Sequence, residues 1–401
     1  MTPFIAPLVM NNQTINTGLI GLTQRPIKQA VKQIQLAVLR MAFTSSQLCS
    51  LLTKFTALNG LNTYYFDTKT NAFRVSSKLK IYCAIHHALC VLALAHMSYS
   101  TASNLRVSVT VLTIGGTMAC CVKSCWEKAQ GIRNLARGLV TMEQKYFAGR
   151  PSGLLLKCRY YIKITFGSIT LLRIHLIQPI YMRRLLPSQF YLNVGAYWLL
   201  YNMLLAAVLG FYFLLWEMCR IQKLINDQMT LILARSGQRN RLKKMQHCLR
   251  LYSKLLLLCD QFNSQLGHVA IWVLACKSWC QITFGYEIFQ MVAAPKSIDL
   301  TMSMRVFVIF TYIFDAMNLF LGTDISELFS TFRADSQRIL RETSRLDRLL
   351  SMFALKLALH PKRVVLLNVF TFDRKLTLTL LAKSTLYTIC CLQNDYNKLK
   401  A

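Results

Sequence analysis

The feature that most constrains this chain is how its basic residues are shared out between apolar stretches. Runs with few or no charges, close to the ~20 residues a helix needs to cross a bilayer, occur at 81–99, 107–122, 160–182, 185–216, 262–290, 306–323 and 376–393. Counting Lys163 with the basic segment it borders, the segments around these runs hold, in chain order, nine, one, nine, two, nine, two, ten and two Lys and Arg residues, and three more lie inside runs. Every second segment is therefore basic, with 37 such residues against 7 in the others. A chain threaded through a membrane with its positive loops on the cytosolic face has this pattern. Seven crossings then put the amino terminus in the cytosol and the carboxyl terminus outside. The opening MTPFIAPLVM lacks the basic start of a signal peptide, so the first span is expected to direct its own insertion.

Composition agrees: 54% of the residues are hydrophobic and 16% charged, outside the usual range of soluble domains. A net charge of +31 would ordinarily suggest nucleic acid. Its division among loops assigns it to a membrane face instead, and no nucleic-acid partner is expected. The 14 cysteines fall mostly in spans or in segments read as cytosolic, where thiols stay reduced, so no disulfide is assigned.

The segments 123–159 and 217–261 carry apolar residues at helical spacing, among them Ile221, Leu224, Ile225, Leu242, Met245, Leu249, Tyr252, Leu255 and Leu256. They are predicted to be membrane helices that continue into the cytosol and pack together, the alternative being basic helices lying on an anionic leaflet. Segment 325–361 predicts one or two further helices ending before Pro361. The organisation is then a cytosolic segment (1–80), six spans with their extensions as the sensing region (81–323), anchor helices (324–375), a last span (376–394) and an external tail (395–401).

No phosphate loop, metal-spaced His/Cys set, nucleophile elbow or HExxH motif is present. Neither an enzyme nor a cofactor is expected. G-protein-coupled receptors have the opposite orientation, and transporters commonly pair broken helices in two halves, which seven spans do not supply. Charges within spans are functional suspects, here Arg173, Lys277, Glu287 and Asp315; Lys277 and Asp315 sit near mid-membrane on consecutive spans and are candidates to pair. The outer halves of the spans offer Arg173, His175 and Gln178, then Tyr191, Tyr197, Trp198 and Tyr201, then Tyr286 and Glu287. Such a wall suits a small-molecule pocket, and equally an interfacial aromatic belt.

The final span ends TLYTICCLQNDY. Tyr387, the five residues 388–392 and Gln393 resemble the Thr-Tyr-five hydrophobic-Gln-Phe signature of insect gustatory receptors, with Leu386 in place of the Thr and Asn394 in place of the Phe. Phe370, Phe372 and Asp373 ahead of that span, and the stretch GLNTYYFDTKTNAFRVS at 60–76, look like two further segments of the family. The resemblance implies an all-α, seven-span protein forming a ligand-gated, cation-permeable homo- or hetero-tetramer related to odorant receptors, in the plasma membrane of gustatory neurons. Its partners would be a small tastant, permeant cations and lipid. The last span would line the pore, and 325–368 would anchor the subunits. On that span Gln393, Ile389 and Leu386 share a face, with Tyr387 beside them and Lys383 about 15 Å away at ~1.5 Å per residue. Lys383 is expected either in a wide vestibule or paired with an acid such as Asp373. An aromatic, acid-poor pocket fits apolar bitter compounds better than sugars. The alternatives are a metabotropic receptor and an odorant-type subunit needing a co-receptor.

Overall fold

In lipid a backbone must satisfy its own hydrogen bonds, so apolar runs of this length fold as helices. The computed structural model describes residues 45–400 apart from 101–104, 149, 151–152, 178, 180–189, 236–237, 294–301, 345–354, 356–363 and 368–369. In chain order the elements are α1 (Ser45–Leu58), β1 (Tyr64–Asp67), β2 (Ala72–Val75), α2 (Ser77–Ser100), α3 (Leu105–Trp126), α4 (Ala129–Tyr146) and α5 (Leu154–Leu172). They continue with a π turn (Arg173–Ile177), α6 (Phe190–Arg235), α7 (Gln238–Ala293), α8 (Met302–Ser344), β3 (Val365–Leu366), β4 (Phe370–Thr371) and α9 (Arg374–Lys400). The expected spans fall on α2, α3, α5, α6, α7, α8 and α9. Five helices, α2, α3, α6, α8 and α9, are long and apolar enough by themselves to cross a membrane. Of the other two, α5 carries Lys163, with Arg173 opening the π turn that follows it, and α7 carries Lys277 and Glu287, charges that lower the hydropathy of these spans.

Helix α6 has 46 residues and α7 has 56, about 69 and 84 Å at ~1.5 Å per residue, more than twice the ~30 Å hydrocarbon thickness. Their surplus lies at the basic end and is packed. Ile221, Leu224, Ile225 and Met229 of α6 join Met245, Leu249, Tyr252 and Leu255 of α7, Leu139 of α4 and Phe329 and Leu340 of α8 in one buried cluster. The continuing helices therefore associate with one another. A buried ion group adds to this core: the Arg220 guanidinium lies 2.8 Å from Glu217 on its own helix and 3.3 Å from Glu143 of α4. Burial raises the Glu143 carboxyl above its usual range, a shift that the attraction of Arg220 opposes.

Helix α8 runs unbroken from span six into the segment read as anchor, while most of 345–363 lies outside the described residues. Helix α3 packs on α7 through Gly116, where an added Cβ would collide with the Trp272 ring. Thr117 Oγ1 donates to the Trp272 carbonyl at 3.2 Å, and Trp279 Nε1 to Thr110 Oγ1 at 3.0 Å.

Two short antiparallel hairpins qualify the all-α expectation. In the first, Tyr64 pairs with Val75 and Asp67 with Ala72, Asn71 takes the turn at φ 49°, and Tyr64, Phe66 and Phe73 bury against Ala136 and Val140 of α4. This hairpin is the 60–76 stretch. The second pairs Val365 with Thr371 and leads straight into α9.

Candidate functional site

Four of the charges inside the apolar runs, Lys163, Arg173, Lys277 and Asp315, are brought to one region where α5, its π turn, α7 and α8 meet. Lys277 Nζ lies 2.8 Å from Asp315 Oδ1, with both side chains largely buried. Arg173 opens the π turn, a register shift common at functional sites, and is buried. Its guanidinium is within electrostatic reach of Asp315, and its Nη1 has no hydrogen-bond partner among the described residues. Lys163, about two and a half turns into α5, is only 1% exposed. Its ammonium donates to Asn318 Oδ1 at 3.0 Å and lies 5.1 Å from the centre of the Tyr212 ring. Asn318 is held in turn, its Nδ2 donating to the Phe314 carbonyl at 3.1 Å. Three cations thus surround one carboxylate.

The aromatic wall divides into two pairs. Tyr197 and Tyr201 stack at 4.0 Å on α6. Trp198 turns to the π turn instead: its ring stacks on His175 at 5.5 Å and its Nε1 donates to the Ile174 carbonyl at 3.0 Å. His175 is fixed further by Asn202 at 3.3 Å. These contacts make His175 and Trp198 parts of the scaffold that sets the π turn. Tyr286 is buried and bonded to Gln290 of its own helix, Glu287 is half-buried, and Tyr191 is exposed. Gln178 lies outside the described residues.

Helix α9 has two unlike faces. Thr377, Ser384 and Thr388 are buried, and the latter two hydroxyls donate to the Ser278 and Ile282 carbonyls of α7 at 3.4 and 3.3 Å. Small hydroxyl residues let a helix approach its neighbour closely. Opposite them, Leu378, Ala382, Leu386, Ile389 and Gln393 follow one another at spacings of four, four, three and four, and all are exposed, as are Lys383 and Tyr387. The suggested pairing of Lys383 with Asp373 is not formed. Asp373 Oδ1 instead accepts the Leu376 N–H at 3.0 Å as the cap of α9, a short-range bond that a lysine ten residues on does not reach.

Residues 49–398 match the 7tm chemosensory receptor family. The chain belongs to that family. Its fold is similar to that of the insect olfactory receptor of Machilis hrabei solved in complex with eugenol, with a TM-score of 0.65 over 86% of this chain and 98% of that one, at 11% identity. No sequence among the curated proteins matches it.

In this chemosensory receptor one further contact links the bundle to the last helix. Asp324 of α8 accepts from Arg159 of α5 and from Arg374, the first residue of α9, and Arg374 Nε also lies 3.2 Å from Glu327. Beside it, the Thr323 and Thr377 hydroxyls bond at 2.6 Å. Asp324 draws no notice in the sequence, because a carboxylate just beyond a span looks like any solvated helix residue. Lys163 is as inconspicuous, placed where a run begins and basic residues are common.

Proposed function

We propose that this receptor is a gustatory chemoreceptor, a ligand-gated non-selective cation channel opened by small, mostly apolar compounds of the bitter class. It acts as a homo- or hetero-tetramer in the plasma membrane of sensory neurons, with its basic end in the cytosol. The observation that carries this reading is the uncovered face of α9. Leucines there tolerate lipid, but Lys383, exposed near the middle of the helix and with no carboxylate in reach among the described residues, does not. A charge at bilayer depth costs at least about 2.5–3.5 kcal/mol unless water reaches it. A water-filled path bounded by several copies of α9 removes that cost. Along it Leu386 and Ile389 form an apolar constriction and Gln393 a polar ring, both of which serve as gates in narrow pores; Lys383 lies in the wider vestibule beneath.

The stimulus acts on the α5–α8 bundle, where the Tyr197 and Tyr201 pair adjoins Arg173. The Machilis hrabei receptor was likewise solved in complex with a small molecule, eugenol. The Asp324 contact with Arg374 carries the response to α9. Whole-cell current during application of a panel of bitter compounds and sugars tests the reading, with wild type compared to Gln393→Ala. A ligand-evoked cation current whose selectivity or block changes in the variant is the expected result. Current that requires G-protein signalling and ignores position 393 would refute it.

A further inference from the structure

Lys163 and Lys277 line the same cavity, a space of about 60 Å³ between α5, α6, α7 and α8 on the side nearer the basic end, walled by Phe211, Leu274, Leu319 and Phe372. A water needs roughly 10–15 Å³ of such space, so several water-sized groups fit. The two ammoniums are not equivalent. Lys277 has Asp315 as its counter-ion. Lys163 has the Asn318 amide oxygen and the Tyr212 ring face, and no carboxylate lies within 4 Å of it among the described residues. Both of its partners are neutral. They satisfy hydrogen bonding and polarisation without cancelling the charge. Arg173 draws on Asp315 as well, so three basic side chains share one carboxylate among the described residues. Buried charge of one sign is costly unless a counter-charge enters.

We propose that this cavity is a binding site for a short-chain alkyl carboxylate, its head between Lys163 and Lys277 and its chain against Phe211, Leu319 and Phe372. The carboxylate supplies the missing negative charge, and the apolar walls select the alkyl chain over a bare ion. The cavity extends from Lys277 toward the basic end, away from the aromatic pairs, and occupancy there is read without any ion flow. Its failure and the failure of the channel reading are therefore separate results.

The test uses the full chain purified in a neutral detergent, with hexanoate as probe. Hexanol serves as the uncharged control of equal chain length and sodium chloride as the bare-anion control. The protein is expected to show saturable hexanoate binding in a thermal-shift titration, with hexanol and chloride at least tenfold weaker. Lys163→Met keeps most of the stem volume and removes the charge. It is expected to fold, since an uncompensated buried charge is lost, and to bind hexanoate at least tenfold more weakly. Lys277→Met is a second variant, at which binding is also expected to fall. Equal effects of hexanol and hexanoate, equal effects of chloride and hexanoate, or undiminished binding by a well-folded Lys163→Met protein would each overturn the proposal, as would binding absent from wild type.

Discussion

Replacing Asp324 by Asn is the sharpest probe of how the bundle and the last helix are joined. The Asp324 side chain is 9% exposed, that of Arg159 is 17% exposed and that of Arg374 is 44% exposed. An Asn keeps the shape and one acceptor oxygen but removes the charge, stranding Arg159 in a largely desolvated position. Breaking a fully buried pair costs about 3–5 kcal/mol. The Arg374 share is discounted toward the 0–1 kcal/mol of an exposed pair because water screens it, and Arg159 keeps some solvent contact, so about 2–3 kcal/mol is the working figure. On the proposed channel reading the contact differs between closed and open states, so part of this appears in the gating equilibrium. Every 1.4 kcal/mol is about tenfold there, so a shift of ten- to thirty-fold in half-maximal ligand concentration, or a comparable rise in basal current, is expected. The assay is a whole-cell dose–response curve with surface protein quantified by labelling. A cycle with Arg374→Gln isolates the pair, with a coupling of about 1 kcal/mol or more expected. Normal surface expression with unchanged basal current and ligand dependence in Asp324→Asn, or strict additivity in the cycle, would sink the reasoning.

Removing either member of the Lys277 and Asp315 pair is expected to be unequal in effect. Asp315→Asn leaves three buried cations with no counter-charge, whereas Lys277→Met leaves Asp315 still facing Arg173 and Lys163. The first should therefore cost about 3–5 kcal/mol and the second distinctly less, read as loss of thermal stability in detergent. Gly116→Ala would drive a methyl group into the Trp272 ring and is expected to cost about 1–3 kcal/mol through overpacking, measured the same way. Glu143 gives a pH signature. Its folded pKa is raised by burial, so the native state holds the proton more tightly than the unfolded chain. The destabilising contribution of the ionised form is then present above the folded pKa and is lost as pH falls through it toward the ordinary value. Glu143→Gln is accordingly expected to be the more stable protein near neutral pH, the difference shrinking on acidification. Thermal melts of both proteins across that range decide it, and a gap that widens on acidification would contradict the sign.

Hydropathy and the alternating basic segments were enough to place seven helices, because crossing lipid is a demand on each segment separately and is met by its own composition. The extensions of α6 and α7 at their basic ends were legible for a similar reason: their 3.6-residue apolar repeat requires a partner helix. The proximity of Lys277 and Asp315 also showed, since the two sit at matching depth on consecutive spans. Other features belong to the relation between helices. Whether Trp198 faces Tyr197 or reaches across to His175 depends on a π turn that no periodicity announces. Lys163 looks like a loop-border lysine until α5, α6 and α8 close around it. Asp324 becomes the meeting point of Arg159 and Arg374 only when the second hairpin delivers the start of α9 to the end of span six. Depth in the membrane is set by each residue's own transfer free energy and can be read along the chain. The rotation of each helix about its axis is set by how several side-chain surfaces fit at once, and that is decided only in the packed structure.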